Sequence, residues 1–206
     1  MKIPFFPLKL VAFPGEELNL HIFEPRYKQL IQDVEASGMT FGICVYNEKL
    51  TGFGTEVRLD AVHKRYEDGT VDIRTKGVRV FEIKNFENPL EGKLYAGGEV
   101  ELLEDDLTLS NVMHFEFLLH LKEMLYLLGH RVEVIPDETT SFTYAHKIGL
   151  KFEEEIELLR MPSETLRVEF LINYFKRMIP AIKAIEKAKE KIRQNGHFKH
   201  LDPLDF

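Results

Sequence analysis

The residues of this chain that could act as nucleophiles lack the neighbours that nucleophilic catalysis requires. A catalytic serine or cysteine needs an adjacent base and a rigid turn, as in a GxSxG elbow, and the sequence contains no such elbow. Ser110 and Ser163 stand where helices are predicted to begin and are expected to cap them, whereas Ser37 precedes Gly38 at a predicted helix end. Cys44, the only cysteine, lies in the apolar run FGICVY and is predicted to be a buried, inert strand residue.

Phosphate-binding and metal-binding templates are also incomplete. Gly52 and Gly54 could begin a GxGxxG loop, but Val57 occupies the position of the third glycine, and no GxxxxGK[ST] loop occurs. His114 and His120 are six residues apart on one predicted helix, whereas two ligands on one helix face are spaced by four. The sequence therefore predicts neither nucleotide hydrolysis nor a helical zinc site.

The remaining polar groups have ordinary structural explanations. His197 and His200 could chelate a metal if the tail were helical, but a metal site needs three or four ordered ligands, so a solvated tail is favoured. The acidic runs at 104–106 and 153–155 lie at element boundaries, without an apolar pocket that would raise a carboxyl pKa. We therefore predict no catalytic residue, no metal and no cofactor.

Composition limits the class of protein. The 206 residues, 44% hydrophobic and 30% charged, suit one large or two small folded domains. A formal net charge of −7 disfavours a general nucleic-acid binder. No stretch approaches the roughly 18 apolar residues that span a bilayer, and Pro4, Pro7 and Lys9 interrupt the N-terminal apolar stretch before any signal cleavage site. A cytoplasmic protein without membrane contact is predicted.

The N-terminal segment IPFFPLKLVAFPG contains the first candidate binding residues. Its three prolines interrupt strand pairing, so residues 1–20 are predicted to form an edge of the sheet and not a central strand. An edge offers free N–H and C=O groups to an added strand. Phe5, Phe6 and Phe13 could then hold an apolar anchor of a bound polypeptide; the alternative is that they fill a hydrophobic core.

The next segment, FEPRY, contains the second set of candidates. Pro25 is expected to begin a helix, where its missing N–H costs nothing. This would place Arg26 and Tyr27 at the exposed start of that helix, where together with the Phe-Pro-Gly turn they could rim a binding groove. The alternative is structural: Phe23 and Tyr27 staple the helix to the sheet while Glu24 pairs with Arg26.

Residues up to about 105 have the pattern of strands. Asp68-Gly69 is predicted to form a two-residue hairpin turn that places Arg65 opposite Asp72. In that register the inward face must switch near residues 61–62, which predicts a β-bulge or sharp bend there. Bends of this kind favour a small closed barrel over a flat sheet.

The period changes from two to 3.6 after residue 106. Residues 109–128 are apolar nearly all round, which predicts a buried helix ended by Gly129. Short helices are predicted around 141–149 and from 152 to 160. A long helix is predicted from Ser163, followed by a loosely held tail.

Three ordered motifs resemble the N-terminal substrate-binding domain of Lon proteases. The opening LxLVxFPGxxLxLxIFEPRY, at residues 8–27, is similar to the opening of that domain. FGICVYN resembles its second characteristic stretch, and residues 52–83 resemble its "GT…V … DG … G..RF.I" pattern. About 190 residues match in order, with the specific motifs confined to the first 85.

The resemblance implies an α+β fold: a PUA-like β-barrel with one early helix at residues 1–106, then an α-helical bundle at 107–206 that ends in a long helix. It implies a stand-alone member of the family, without the ATPase and peptidase modules of a Lon protease. The implied function is non-catalytic recognition of unfolded or extended polypeptide, or of a protease or chaperone partner, as an adaptor for protein quality control.

Two alternatives remain open at this stage. PUA-like barrels include RNA readers, and the predicted hairpin contains a basic cluster, although acidic residues are interleaved with it. A hydrolase could also use a pocket between barrel and bundle. The basic cluster consists of Lys64, Arg65, Arg74, Lys76 and Arg79.

Overall fold

The structure, a computed structural model, describes residues 1–196 as a mixed α+β fold. His197, His200 and the rest of the predicted tail lie outside the described residues. A strand-rich half precedes a helical half that ends in a long helix, as predicted. The strands are β1 (Lys2–Leu8), β2 (Glu17–Ile22), β3 (Phe41–Asn47), β4 (Lys49–Arg65), β5 (Val71–Ile83) and β6 (Ala96–Leu102), and the helices are α1 (Pro25–Ser37), α2 (Asn111–Leu127), α3 (Phe152–Arg160) and α4 (Glu164–Gly196).

Five of the six strands close into a ring. The strand order is β2-β5-β4-β3-β1-β6, and an additional β5–β6 pairing joins the ends of the five-stranded part. Within residues 1–196, β2 pairs with β5 alone, over the segment from Val71 to Lys76. The sheet therefore combines a closed barrel with a short extension whose outer strand is β2.

The predicted edge position is wrong for β1, which is a central strand. It pairs with β6 in antiparallel fashion from Lys2 to Phe5 and with β3 in parallel fashion from Phe5 to Leu8. Pro4 thus lies in the part paired only with β6, and Pro7 in the part paired only with β3. Since each proline lacks a ladder partner on one side, its missing N–H breaks no pairing.

The turn between β4 and β5 is one residue longer than predicted. Tyr66 N–H donates to Thr70 O at 2.9 Å and closes a three-residue loop whose only glycine has a φ of 76°. Arg65 consequently lies opposite Val71 and not opposite Asp72. Three-residue loops with a glycine in the left-handed region are the common alternative to two-residue turns, and they shift the register by one.

The predicted bulge near residues 61–62 is confirmed. The β4–β5 register shifts between Leu59 and Ala61 and again between Val62 and Lys64. Leu59 and Val62 both pack against the hydrophobic cluster beneath α1. The bulges therefore let the far half of β4 leave the barrel wall while still facing apolar residues inward.

The ends of α2 follow the prediction, but its burial does not. Ser110 caps the helix by accepting a hydrogen bond from Met113 N–H at 3.3 Å, and Gly129 follows its end with a φ of 79°. The helix packs by one face only, because α4 lies along it and no other helix covers its outer side within the described residues. Four large apolar side chains are therefore exposed: Val112, Phe115, Leu119 and Tyr126.

The other helical predictions hold in part. The segment predicted as a helix at 141–149 contains only turns and a 3₁₀ turn from Ala145 to Lys147. α3 spans the predicted residues, and α4 begins one residue after Ser163, whose hydroxyl accepts from Leu166 N–H at 3.4 Å. One hydrophobic core spans the helical half and includes three residues of the strand half: Val11, Phe13 and Val45.

Candidate functional site

A groove of about 460 Å³ opens on the barrel beside the first turn of α1. Two of its aromatic side chains are well exposed, Tyr46 at 42% and Phe86 at 39%. We call this feature the barrel groove. Its lining comes from five parts of the chain: Pro7 on β1, Arg26 and Tyr27 on α1, Tyr46 on β3, Leu50 on β4, and Phe86 and Asn88 in the β5–β6 connection.

Two of the predicted residues, Arg26 and Tyr27, line this groove. Pro25 occupies the first turn of α1, as the sequence indicated, so the helix starts at the groove's rim. The Arg26 guanidinium lies 4.6 Å from the centroid of the Tyr27 ring and 2.7 Å from a carboxylate oxygen of Glu24. Burial raises the pKa of the Tyr27 phenol, although the Arg26 charge opposes this shift. Tyr27 is 5% exposed and belongs to the core cluster beneath α1, so its expected exposure is wrong, and the pairing of Glu24 with Arg26 agrees with the structural alternative. Arg26 remains at the groove as a positioned cation.

Phe5 and Phe6 support the groove from behind. Phe5 is fully buried, and its ring stacks on Phe86 with centroids 6.0 Å apart. Phe6, 6% exposed, packs against Tyr27 with centroids 4.0 Å apart. Successive strand residues point to opposite faces, so one ring fills the barrel interior and the other the cluster beneath α1. Both rings therefore fix lining residues, in agreement with the core alternative for their own side chains.

Phe13 lies away from the barrel groove, at the junction of barrel and bundle. It is fully buried, with its ring centroid 5.3 Å from that of Phe142 and 4.9 Å from that of His146. Pro14 and Gly15, the rest of the Phe-Pro-Gly turn, line a different cleft of about 540 Å³. The structure therefore separates the two halves of the predicted rim: the helix start borders one groove and the turn another.

The chemistry of the barrel groove suits a polypeptide segment. Aromatic faces of Tyr46 and Phe86 can take an apolar or aromatic side chain. The Arg26 guanidinium can donate to a carbonyl or carboxylate, and the Asn88 amide can both donate and accept. Large apolar surface together with a few directional polar groups is the usual composition of a peptide-binding groove.

Comparison with known families identifies the domain. A family model described as the ATP-dependent protease La (LON) substrate-binding domain matches residues 2–177. The chain belongs to this family. The match extends through the barrel, α2, α3 and the first part of α4, so it confirms the resemblance that the sequence motifs indicated and supports a substrate-binding module. A search of curated proteins gave no match.

Solved structures of Lon N-terminal domains share the fold. A Lon N-terminal domain protein from Xanthomonas campestris has 26% sequence identity and a TM-score of 0.68, with 84% of this chain and 98% of that chain covered. The N-terminal domain of a Mycobacterium avium complex Lon protease has 14% identity and a TM-score of 0.64, with 85% and 98% covered. The second likeness concerns the fold alone.

Sequence reasoning missed five lining residues of this Lon-family domain: Pro7, Tyr46, Leu50, Phe86 and Asn88. Two of them flank the tight β3–β4 turn, where Glu48 takes a positive φ of 60°. Phe86 stands in the polar segment NFENP, and an aromatic residue inside such a loop was the available signal. Their meeting at the α1 start depends on barrel closure, which local patterns do not specify.

A histidine bridges two carboxylates where the barrel meets the bundle. His146 Nδ1 lies 2.6 Å from Glu16, which follows the Phe-Pro-Gly turn, and its Nε2 lies 3.6 Å from Glu155 on α3. Burial alone would lower the His146 pKa, but the hydrogen bond to Glu16 and the charges of both carboxylates outweigh it and raise the pKa. Burial raises the pKa of Glu155; the charge of His146 opposes this shift, and the charge of Glu16 adds to it. The cluster therefore binds protons more readily than its free groups would.

This cluster should make stability depend on pH. Because the folded-state pKa of His146 is raised, its stabilisation is present below the ordinary pKa of about 6.5 and is lost as pH rises through the raised value. We expect wild type to exceed His146→Gln in free energy of unfolding by more at about pH 6 than at about pH 8. Urea denaturation at both values measures this, and a gap that grows with pH would contradict it.

The cluster of His146, Glu16 and Glu155 does not resemble a hydrolase site. Glu16 is also occupied in the turn, where it accepts a hydrogen bond from Phe13 N–H at 3.1 Å. The serine of this region, Ser141, is 2% exposed and bonded to Glu164 and Arg167. No reactive hydroxyl is thus presented to the histidine by these residues.

Three of the five residues in the basic cluster of the hairpin, all of them arginines, are paired with carboxylates. Arg65 pairs with Glu35 at 2.5 Å, and Arg79 pairs with Glu56 at 2.7 Å. Arg74 is bonded to an acidic side chain as well. Since phosphate binding depends on uncompensated positive charge, this arrangement weakens the RNA-binding alternative.

Residues 1–196 also show the surroundings of the remaining candidates, which are the cysteine thiol, a metal site and a membrane span. Cys44 is fully buried, as predicted, and burial raises its thiol pKa, which disfavours the reactive thiolate. The described residues bring together no group of three histidine, cysteine or carboxylate side chains that could hold a metal ion. Among the described helices, none has the length and hydropathy that crossing a bilayer requires.

Proposed function

We propose that this Lon-family domain binds extended segments of polypeptide in the barrel groove, carries out no chemistry on them, and serves as an adaptor for protein quality control. The observation that carries the proposal is the convergence of exposed aromatic rings with Arg26 at the start of α1. The family's description as a substrate-binding domain supports the same function.

The preferred segment has a large apolar side chain next to accessible backbone. Tyr46 and Phe86 offer aromatic faces that are already held in place, since Phe86 rests on the buried ring of Phe5. Such preorganised faces bind with little loss of side-chain entropy. Arg26 and Asn88 then hold backbone carbonyls or a nearby carboxylate, which extended chains expose and folded domains conceal.

Tyr46→Ala is expected to weaken polypeptide binding by about tenfold, because aromatic residues are frequent energetic centres of binding surfaces. The probe is a fluorescein-labelled peptide of about ten residues with a central Phe-Leu pair, and its affinity is measured by fluorescence anisotropy. Tyr66→Ala provides the matched control, since Tyr66 is 37% exposed and outside the groove.

A second peptide, with serines replacing the Phe-Leu pair, tests the apolar preference. It should bind more weakly to wild type and show little response to Tyr46→Ala. Equal affinity of both peptides for wild type, or equal losses for Tyr46→Ala and Tyr66→Ala, would contradict the proposed function.

A further inference from the structure

The outer face of α2 is an apolar surface that the described fold leaves uncovered. Its side chains recur at helical spacing and are more exposed than the aromatic residues of the barrel groove. We call this set the α2 stripe. It consists of Val112 (80% exposed), Phe115 (71%), Leu119 (58%) and Tyr126 (80%). Four large apolar side chains exposed on one face of a helix are a candidate interaction site.

A groove of about 330 Å³ runs beside the stripe. Phe115 and Leu119 form one side, Pro136 of the following loop forms the other, and Leu118, 8% exposed, lies in its floor. The next residue of the loop's rim, Ile135, is itself 44% exposed. Asn111, His114 and Lys122 complete the lining, so the groove combines this apolar surface with three polar side chains, and it shares no lining residue with the barrel groove.

The two sides of the groove differ in how their charged residues are paired. On the α4 side, Glu116 pairs with Lys176 at 2.7 Å and Glu123 pairs with Lys183 at 2.5 Å. Lys122 lines the groove on the other side and has no ion pair among the described residues. Among the residues that line the groove, Lys122 alone has a formal charge at neutral pH, and the exposed Asp137 follows Pro136 outside the lining. A carboxylate of the occupant placed beside Lys122 would complement that charge.

The dimensions of the stripe favour a single helix as its occupant. From residue 112 to 126 it is about 21 Å long, and with a helix diameter of about 10 Å its footprint is about 200 Å². A stable interface between two folded proteins buries about 800 Å² on each partner, so a dimer of the chain would need further contacts outside this face. Ridges spaced by three and four residues match the grooves of another helix, whereas α2 offers no free backbone to an extended strand.

We propose that the α2 groove docks an amphipathic helix of a partner protein, with an apolar face on the α2 stripe and an acidic residue opposite Lys122. Leu119 and Phe115 would insert between the apolar side chains of the partner helix. The partner is recognised here by helical shape and acidic charge, whereas the barrel groove recognises extended chain.

The test uses fluorescent peptides of about 18 residues, long enough for about five helical turns. The first has leucines at helical spacing on one face and glutamates on the other. The second has the same composition in an order that abolishes the apolar face, and the third has lysines in place of the glutamates. Anisotropy should give the tightest binding for the first peptide.

Leu119→Asp should weaken binding of the first peptide by at least about tenfold. It should not lower the melting temperature of the protein, because Leu119 is largely exposed. Leu94→Asp is the matched control, since Leu94 is 59% exposed and lies outside the α2 groove. Lys122→Glu should reverse the preference between the glutamate and lysine peptides.

Three outcomes would overturn the proposal. These are equal binding of the ordered and scrambled peptides, equal effects of Leu119→Asp and Leu94→Asp, or unchanged charge preference in Lys122→Glu. Sedimentation of the protein alone adds a further check. A wild-type dimer that Leu119→Asp dissociates would show that a second copy of the chain covers the stripe, and would also overturn it.

Discussion

Replacing Phe13 by alanine is expected to lower the free energy of unfolding by about 3–5 kcal/mol. The side chain is fully buried and packs against Phe142 and His146 of the helical half. Its truncation would leave a cavity between the barrel and the bundle, and the close approach of Gly77 to the Phe13 carbonyl leaves the backbone little room to collapse into it. Urea denaturation followed by circular dichroism measures the loss.

Phe115→Ala is the matched control for this prediction. Phe115 is 71% exposed, so the same truncation should change stability by no more than about 0.5 kcal/mol. A small loss for Phe13→Ala, comparable with that of the control, would show that Phe13 is not the core residue described above. It would also restore Phe13 as a candidate for direct contact with a ligand.

Replacing Arg167 by methionine should cost a similar amount, about 3–5 kcal/mol. Arg167 is 2% exposed and lies beside Glu164, which is 5% exposed; their shortest separation is 2.9 Å. The guanidinium also donates to Ser141 Oγ at 2.9 Å, to Met161 O at 2.9 Å and to Asp105 at 2.7 Å. Methionine would preserve much of the apolar stem but leave the Glu164 carboxylate buried without its cation.

Arg177→Met is a control of the same chemistry at the surface. Its side chain is 65% exposed and pairs with Glu154 at 3.0 Å, so its loss should cost less than about 1 kcal/mol. Adding Glu164→Gln to Arg167→Met should recover part of the stability, because the stranded charge is then removed. Equal losses for the two arginine variants, or no recovery in the double variant, would contradict the buried network.

The sequence predicted those parts of the fold that depend on local pattern. The division into a strand half and a helical half, the bulge near residues 61–62 and the Ser110 cap all follow from periodicity and from preferences of single residues. The register after Tyr66 was missed by one, because Asp-Gly is compatible with loops of two or three residues.

The wrong predictions for β1 and α2 concern features that are decided by tertiary packing and not by local sequence. Prolines in β1 favoured an edge, but the ladders of β3 and β6 are offset along the strand, so a central strand tolerates them. The apolar character of α2 favoured full burial, but α4 covers only one side of it. When a helix packs by one face and still has large apolar residues on the other, the exposed face can be a second contact surface.

The candidate site was predictable only in part for the same reason. Arg26 and Tyr27 were found because a proline fixes the helix start that presents them. Phe5 and Phe6 were found as members of the region, but strand alternation and burial place them behind the lining. Tyr46 and Phe86 come from distant turns, and only closure of the barrel brings them to the same groove.

The most direct test of polypeptide binding in the barrel groove is photo-crosslinking from the ligand. The central Phe of the extended peptide is replaced by benzoylphenylalanine, and the crosslinked residues are mapped by mass spectrometry after irradiation. We predict crosslinks concentrated at Arg26, Tyr27, Tyr46 and Phe86 and reduced by excess unlabelled peptide. Crosslinks concentrated on the α2 stripe, or spread evenly over the surface, would contradict the assignment of the barrel groove as the polypeptide-binding site.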